Sequence, residues 1–147
     1  MLSNPCRTPE EFLSEILYQL GEDPSDRDRS RLVHRINEIV FDAYSAGRET
    51  YVVLDEGQGI EDQDVFEEIR LLLNLQLDDA FLITLLLVGQ PPLADRVRKY
   101  APLDQRLATR GFLRPFDAED TAAYVAHRLQ TAGREEPVFT PEAVELA

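Results

Sequence analysis

The chain has 147 residues, enough for a domain with a sizeable core, and a formal net charge of −13. That acidity argues against a surface built to bind a polyanion such as DNA or an acidic membrane, and it is the balance expected of a soluble protein. A single cysteine, Cys6, excludes an intrachain disulfide and points to a reducing compartment, and with only His34 and His127 beside it there is no credible zinc set.

No charged-then-apolar leader opens the chain, and its longest apolar run, 80–89, is too short to span a bilayer. Thr8-Pro9-Glu10-Glu11 reads as a helix start: Thr8 caps, Pro9 fits the first turn, and the acids suit the positive end of the dipole. Leu13, Ile16, Leu17 and Leu20 then share one face until Gly21. A polar loop or frayed helix start, 22–30, leads to a second helix that turns Leu32, Ile36, Ile39, Val40 and Ala43 inward and stops at Gly47.

The first clear strand, 50–55, ends on Asp55 and Glu56, followed by a Gly57-Gln58-Gly59 loop. The spacing predicts a helix over 63–74, with Val65, Phe66, Ile69, Leu72 and Leu73 as its apolar face. The run 81–88 is almost wholly apolar, which marks a central parallel strand buried on both faces. The two strands lie about 30 residues apart with a helix between them, the size of a βαβ unit.

Gly89-Gln90-Pro91-Pro92 breaks the second strand, and a helix from Pro92 to about Tyr100 carries Arg96, Arg98 and Lys99. A short helix over 102–109 and a short strand at Gly111–Arg114 are expected next. Asp117 then caps a helix that runs to Gly133 and buries Ala122, Val125, Ala126 and Leu129. Thr140-Pro141-Glu142 opens one more.

The matching phrases are Val53-Leu54-Asp55-Glu56-Gly57-Gln58, Leu86-Leu87-Val88-Gly89-Gln90-Pro91-Pro92-Leu93, Leu103-Asp104-Gln105-Arg106 and Leu113-Arg114-Pro115-Phe116-Asp117-Ala118-Glu119-Asp120. In this order and spacing they resemble the AAA+ ATPases, and more narrowly their general secretion pathway protein A-like branch. The resemblance covers nearly the whole chain and implies roles. Asp55 holds Mg²⁺, and Glu56 activates the attacking water of ATP hydrolysis, so both belong to the cofactor site. Gln90 is the sensor residue near the γ-phosphate. Arg106, with Arg110 as a second candidate, is the arginine finger that reaches a neighbouring subunit's nucleotide. Gln58 couples nucleotide state to a partner. Gly57 and Gly59 stand where the family usually carries Ala and Asn, and loosen this loop.

A P-loop requires Gly-x-x-x-x-Gly-Lys-Ser/Thr, and none occurs, because Lys99 is the single lysine and follows Arg98. The family places its P-loop upstream of a strand whose end resembles Leu2-Ser3-Asn4-Pro5. The chain therefore reads as the middle of an ATPase module, cut at both ends and inactive alone. The resemblance implies an α/β fold: a three-layer parallel sheet of P-loop NTPase/AAA+ type, with a partial core at 1–116 and the start of a helical lid at 117–147. It implies a parent that hydrolyses ATP with Mg²⁺ to assemble or remodel a secretion or envelope export system. That parent is expected to be a cytoplasmic homo-oligomer at the inner membrane, binding protein partners and no nucleic acid. Two other readings stand beside it, a catalytically inactive AAA+-like interaction scaffold and a DNA-transposition ATPase.

Overall fold

A computed structural model describes residues 8–25, 27–77, 80–134, 136, 138–140 and 143. The expected strand end at Leu2–Pro5, and Cys6, lie outside these. So does most of the final helix, where Thr140 Oγ1 accepts the Ala143 N–H at 3.3 Å. The chain divides into two compact units, Met1–Ala108 and Thr109–Ala147.

In the first unit the helices begin and end as their sequence dictates. Helix α1 (Pro9–Gln19) has Thr8 accepting the Glu11 N–H, and Asp28 caps α2 (Arg29–Ser45) in the same way through the Arg31 N–H. Each ends where a glycine can take positive φ: Gly21 at 91° and Gly47 at 72°. Behind each glycine the next N–H reaches back to close the last turn, from Glu22 to the Leu17 carbonyl and from Arg48 to that of Ala43, both at 2.9–3.0 Å. Helix α1 buries Phe12, Leu13, Ile16 and Leu17; α2 buries Leu32, Ile36 and Val40.

Strand β1 (Thr50–Leu54) leads through a short 3₁₀ turn at Gly57–Gly59 to α3 (Gln63–Leu72). A two-residue hairpin follows, β2 (Gln76–Leu77) with β3 (Ala80–Phe81), before β4 (Ile83–Leu87) returns parallel to β1. The β1–α3–β4 crossover is the expected βαβ unit. Helix α4 (Pro91–Lys99) buries Leu93 and Val97, and α5 (Ala101–Asp104), shorter than the expected 102–109, buries Leu103.

Strand β4 departs from its expected burial on both faces. Register pairs Val52 with Leu85 and Leu54 with Leu87, and this face turns into the core. The opposite face carries Tyr51, Thr84 and Leu86, all exposed, Leu86 to 55%. The reason is one of layers: the parallel sheet described has two strands, and one of its faces is covered.

Glu68 is an unexpected core member, 2% exposed amid Val65, Phe66, Ile69 and Leu72 of α3. Its Oε2 accepts Arg29 Nε at 2.7 Å, tying the start of α2 to α3, while Oε1 has no partner among the described residues. On the outer side of α3, Glu67 accepts from Arg70 and from the Tyr100 hydroxyl, whose ring stacks on Phe66.

The Arg70 guanidinium, then the Tyr100 hydroxyl, pull the Glu67 carboxyl from 4.5 down to about 2. A depressed folded-state value means that the unfolded chain takes up the proton first as pH falls. The stabilisation is therefore whole above about pH 4.5 and is lost on the way down to about 2. Urea midpoints measured against pH are expected to separate wild type from Glu67→Gln near pH 6 and to converge only as pH falls to about 2. A constant gap across that range would contradict the pairing.

In the second unit, helix α6 (Ala118–Thr131) opens with a capping box, Asp117 accepting from the Asp120 N–H and Asp120 from the Asp117 N–H. It closes at Gly133, φ 80°. Two expectations are corrected here. Gly111–Arg114 forms no strand, because no ladder partner is present for it among the described residues. The stripe on α6 is not buried either: Val125 and Leu129 are half-covered, and Ala122 and Ala126 are exposed. The described residues of this unit supply one long helix, with Phe116 packed on Tyr124 at 5.6 Å, and no second layer.

Candidate functional site

Two parallel strands deliver the candidate residues to one place. Asp55 and Glu56 follow the end of β1, while Gly89 and Gln90 follow the end of β4. Ligands of open α/β sheets bind outside the carboxyl ends of the strands, where these loops lie. The ladder runs on beyond the strands: the Val88 N–H donates to the Leu54 carbonyl at 2.8 Å, and the Gly57 N–H to the Val88 carbonyl at 2.9 Å. The loop after the acids is thus stitched to the loop after β4.

Asp55 is half-buried, and its Oδ1 accepts the N–H of Glu56 at 2.8 Å. Its other oxygen has no hydrogen-bond partner among the described residues. Glu56 is exposed and is the one described non-glycine residue with positive φ, at 54° with ψ 30°. An L-residue in that left-handed region is strained by about 1–2 kcal/mol. The turn it makes begins the 3₁₀ segment, and its carboxylate Oε2 accepts Gln58 Nε2.

Gln58 is the hinge pin of the site. Its Oε1 accepts the backbone N–H of Gln90 at 2.9 Å, so one side-chain amide joins Glu56 to the tip of β4. This contact explains Gly89, where a Cβ would sit 2.7 Å from Gln58 Oε1 and 2.9 Å from Leu93 Cδ2. Gly57 is similarly confined, a Cβ there meeting Leu93 Cδ2 at 2.9 Å and the Val88 carbonyl at 3.2 Å. Arg96 fastens the same loop from α4: its Nη1 donates to the carbonyls of Gln58 and Ile60 at 2.5 and 2.6 Å. Gly57, one of the two glycines expected to loosen the loop, instead lets it pack, with the loop's backbone held by the Val88 carbonyl and by Arg96.

Gln90 is exposed and stands at the N-cap of α4 without capping it by its side chain. Arg106 is also exposed, just beyond α5, with its N–H on the Leu103 carbonyl. It makes no ion pair with Asp55 or Glu56. Arg110 belongs to the second unit. Within the first unit the structure therefore gathers Asp55, Glu56 and Gln90 around Gln58, and Arg106 forms no ion pair with that group.

Arg96 and the bridging role of Gln58 were not foreseen from sequence. One signal was available for Arg96: it sits three residues after Leu93 and one before Val97, at the margin of the buried stripe of α4. Reaching across 36 and 38 residues to carbonyls, its bonds are invisible to local pattern.

The site has one half-buried carboxylate beside one exposed, oriented carboxylate, at the ends of parallel strands. Mg²⁺ is commonly held by one or two carboxylates together with substrate phosphates rather than by an all-protein cage. Asp55, with one carboxylate oxygen on the Glu56 N–H and the other without a hydrogen-bond partner among the described residues, offers a donor of that kind. No described helix has the length and apolarity to cross a membrane.

Residues 1–97 match the AAA domain family. The chain is also similar to general secretion pathway protein A of Aeromonas hydrophila, 36% identical over 146 residues. That alignment covers 97% of this chain and 26% of the relative, so the chain spans about a quarter of that protein's length.

Proposed function

Because the chain belongs to the AAA domain family, we propose that it forms the part of an AAA+ ATPase module that carries the hydrolytic carboxylates. The observation behind this is the convergence of Asp55, Glu56 and Gln90 at the carboxyl ends of β1 and β4. In this reading residues 1–116 are a partial three-layer P-loop NTPase core, and 117–147 begin a helical lid.

Bound Mg²⁺ would supply charge neutralisation on the phosphates, with Asp55 as its protein ligand. Glu56 accepts a proton from the attacking water as general base. Gln90 directs its side-chain amide at the γ-phosphate or that water. Arg106, or Arg110 in its place, stabilises transition-state charge on a neighbouring subunit's nucleotide, which makes the complete module a homo-oligomer. The relative's name places it in a general secretion pathway. By that similarity the complete protein hydrolyses ATP in the cytoplasm, at the inner membrane, to assemble or remodel a secretion or envelope system.

Phosphate binding has to come from outside this chain, since a P-loop needs a lysine within a glycine-rich loop and Lys99 is not in one. Calorimetric titration with Mg²⁺-ATP tests the reading. The 147-residue chain is expected to show no binding, and a longer form with a P-loop upstream is expected to bind. Binding by the short chain alone would overturn the site assignment. A longer form that fails to bind would favour the interaction scaffold.

A further inference from the structure

Gln58 makes two hydrogen bonds that together fix which way its amide faces. The Gln90 backbone N–H can only donate, so the atom facing it at 2.9 Å must be the oxygen. The nitrogen then faces Glu56, whose ionised carboxylate can only accept. The amide cannot flip without losing both bonds. Arg96, holding the Gln58 carbonyl, and Gly89, leaving room for Oε1, keep the side chain in place.

For Glu56 the consequence is specific. Gln58 Nε2 occupies Oε2 and leaves Oε1 without a hydrogen-bond partner among the described residues. Glu56 is exposed, so packing does not fix its rotamer. An exposed glutamate loses side-chain entropy, up to about 1.5–2 kcal/mol, when it is confined to one orientation. A hydrogen bond that has already confined it lowers that cost at the moment of reaction.

We propose that Gln58 is a positioning residue for Glu56, holding Oε2 so that Oε1 takes the proton, with its own orientation set by the Gln90 N–H. Resting on the assignment of Glu56 as general base, it makes the alignment of the base depend on where the tip of β4 stands. A shift of Gln90 is passed to Glu56 through one amide. Glutamate at position 58 separates the two halves of this device. It retains an acceptor for Gln90 and the same shape, but sets a carboxylate against a carboxylate.

The experiment has two arms. In the chain itself, ¹⁵N-edited NMR of the Gln58 side-chain NH₂ reads the Glu56 bond directly. Glu56→Ala is expected to move those resonances toward free-amide values while the Gln90 backbone N–H stays in place. An unchanged NH₂ overturns the proposal. In the longer, P-loop-bearing protein, Gln58→Glu and the apolar Gln58→Met are both expected to lower kcat about 10-fold or more, as loss of an orienting partner does. KM for Mg²⁺-ATP is expected to stay within about twofold for Gln58→Met. Full kcat in Gln58→Glu, with Glu56→Gln inactive, leaves Gln58 only the structural task of holding the Gln90 loop and overturns the proposal alone. Full activity in Glu56→Gln overturns the base assignment itself. In a Glu56→Gln background, adding Gln58→Glu is expected to cost nothing further, because the partner it would misplace is already gone.

Discussion

Glu56→Gln in the longer, P-loop-bearing protein is expected to reduce ATP turnover by on the order of 10²–10⁴-fold, the range general-base catalysis supplies. Mg²⁺-ATP affinity is expected to change little. The substitution removes the proposed proton acceptor and almost nothing else. Glutamine has the same length, and its Oε1 still accepts from Gln58 Nε2. The backbone at position 56 keeps its left-handed turn, and the Asp55 Oδ1 bond to the position-56 N–H needs only main chain. Single-turnover hydrolysis and nucleotide binding, measured side by side, separate the two quantities. Wild-type turnover in the variant would remove Glu56 from the chemistry. Lost turnover together with lost binding would move its role to holding the nucleotide.

The largest expected loss of stability comes from Phe12→Ala. Phe12 is fully buried in α1, beside Leu13, Ile16 and Leu17, and belongs to the one large apolar cluster that joins the helices to the inner face of β1 and β4. Truncating a buried phenylalanine costs about 3–5 kcal/mol, the lost transfer energy plus a cavity that the neighbours only partly fill. A domain with about 5–15 kcal/mol in hand would lose about a fifth or more of it. The guanidinium chloride midpoint is expected to fall accordingly, with an unchanged slope. A loss under about 1 kcal/mol would mean that the α1 face is not packed as described. Because no hydrogen bond among the described residues joins α1 to the loop after β1, the folded fraction of the variant is expected to keep the site geometry.

The parts of this fold legible in sequence were those set by neighbours along the chain. Thr8 and Asp117 cap where their chemistry says, and Gly21, Gly47 and Gly133 stop helices where positive φ is needed. The β1–α3–β4 unit followed from two apolar runs with an amphipathic helix between them. What misled was the composition of 81–88. Apolar residues at every position say that a strand can be buried on both faces, but the covering layers have to exist, and Leu86 is open. Gly111–Arg114 failed as a strand for the same kind of reason, since a strand is defined by its partner. Glu68 was legible in hindsight, lying one turn after Val65 on the buried face of α3, with a cation 39 residues away that no local pattern could pair with it. At the site, the strand-end acids and the Gly-Gln-Pro tip were visible as phrases. The amide bridging them was not, because it depends on a register between strands that only the folded chain provides.

The left-handed backbone at Glu56 has a consequence for how such a site is kept over evolutionary time. Glycine adopts φ 54° without the steric cost that glutamate bears there, so the substitution that removes the proposed base also relaxes the backbone. Selection for robustness alone runs downhill away from the carboxylate. If Glu56 is the base, glutamate persists at this position only under selection for the reaction, and a library screened for heat tolerance without an activity screen would be drained of it.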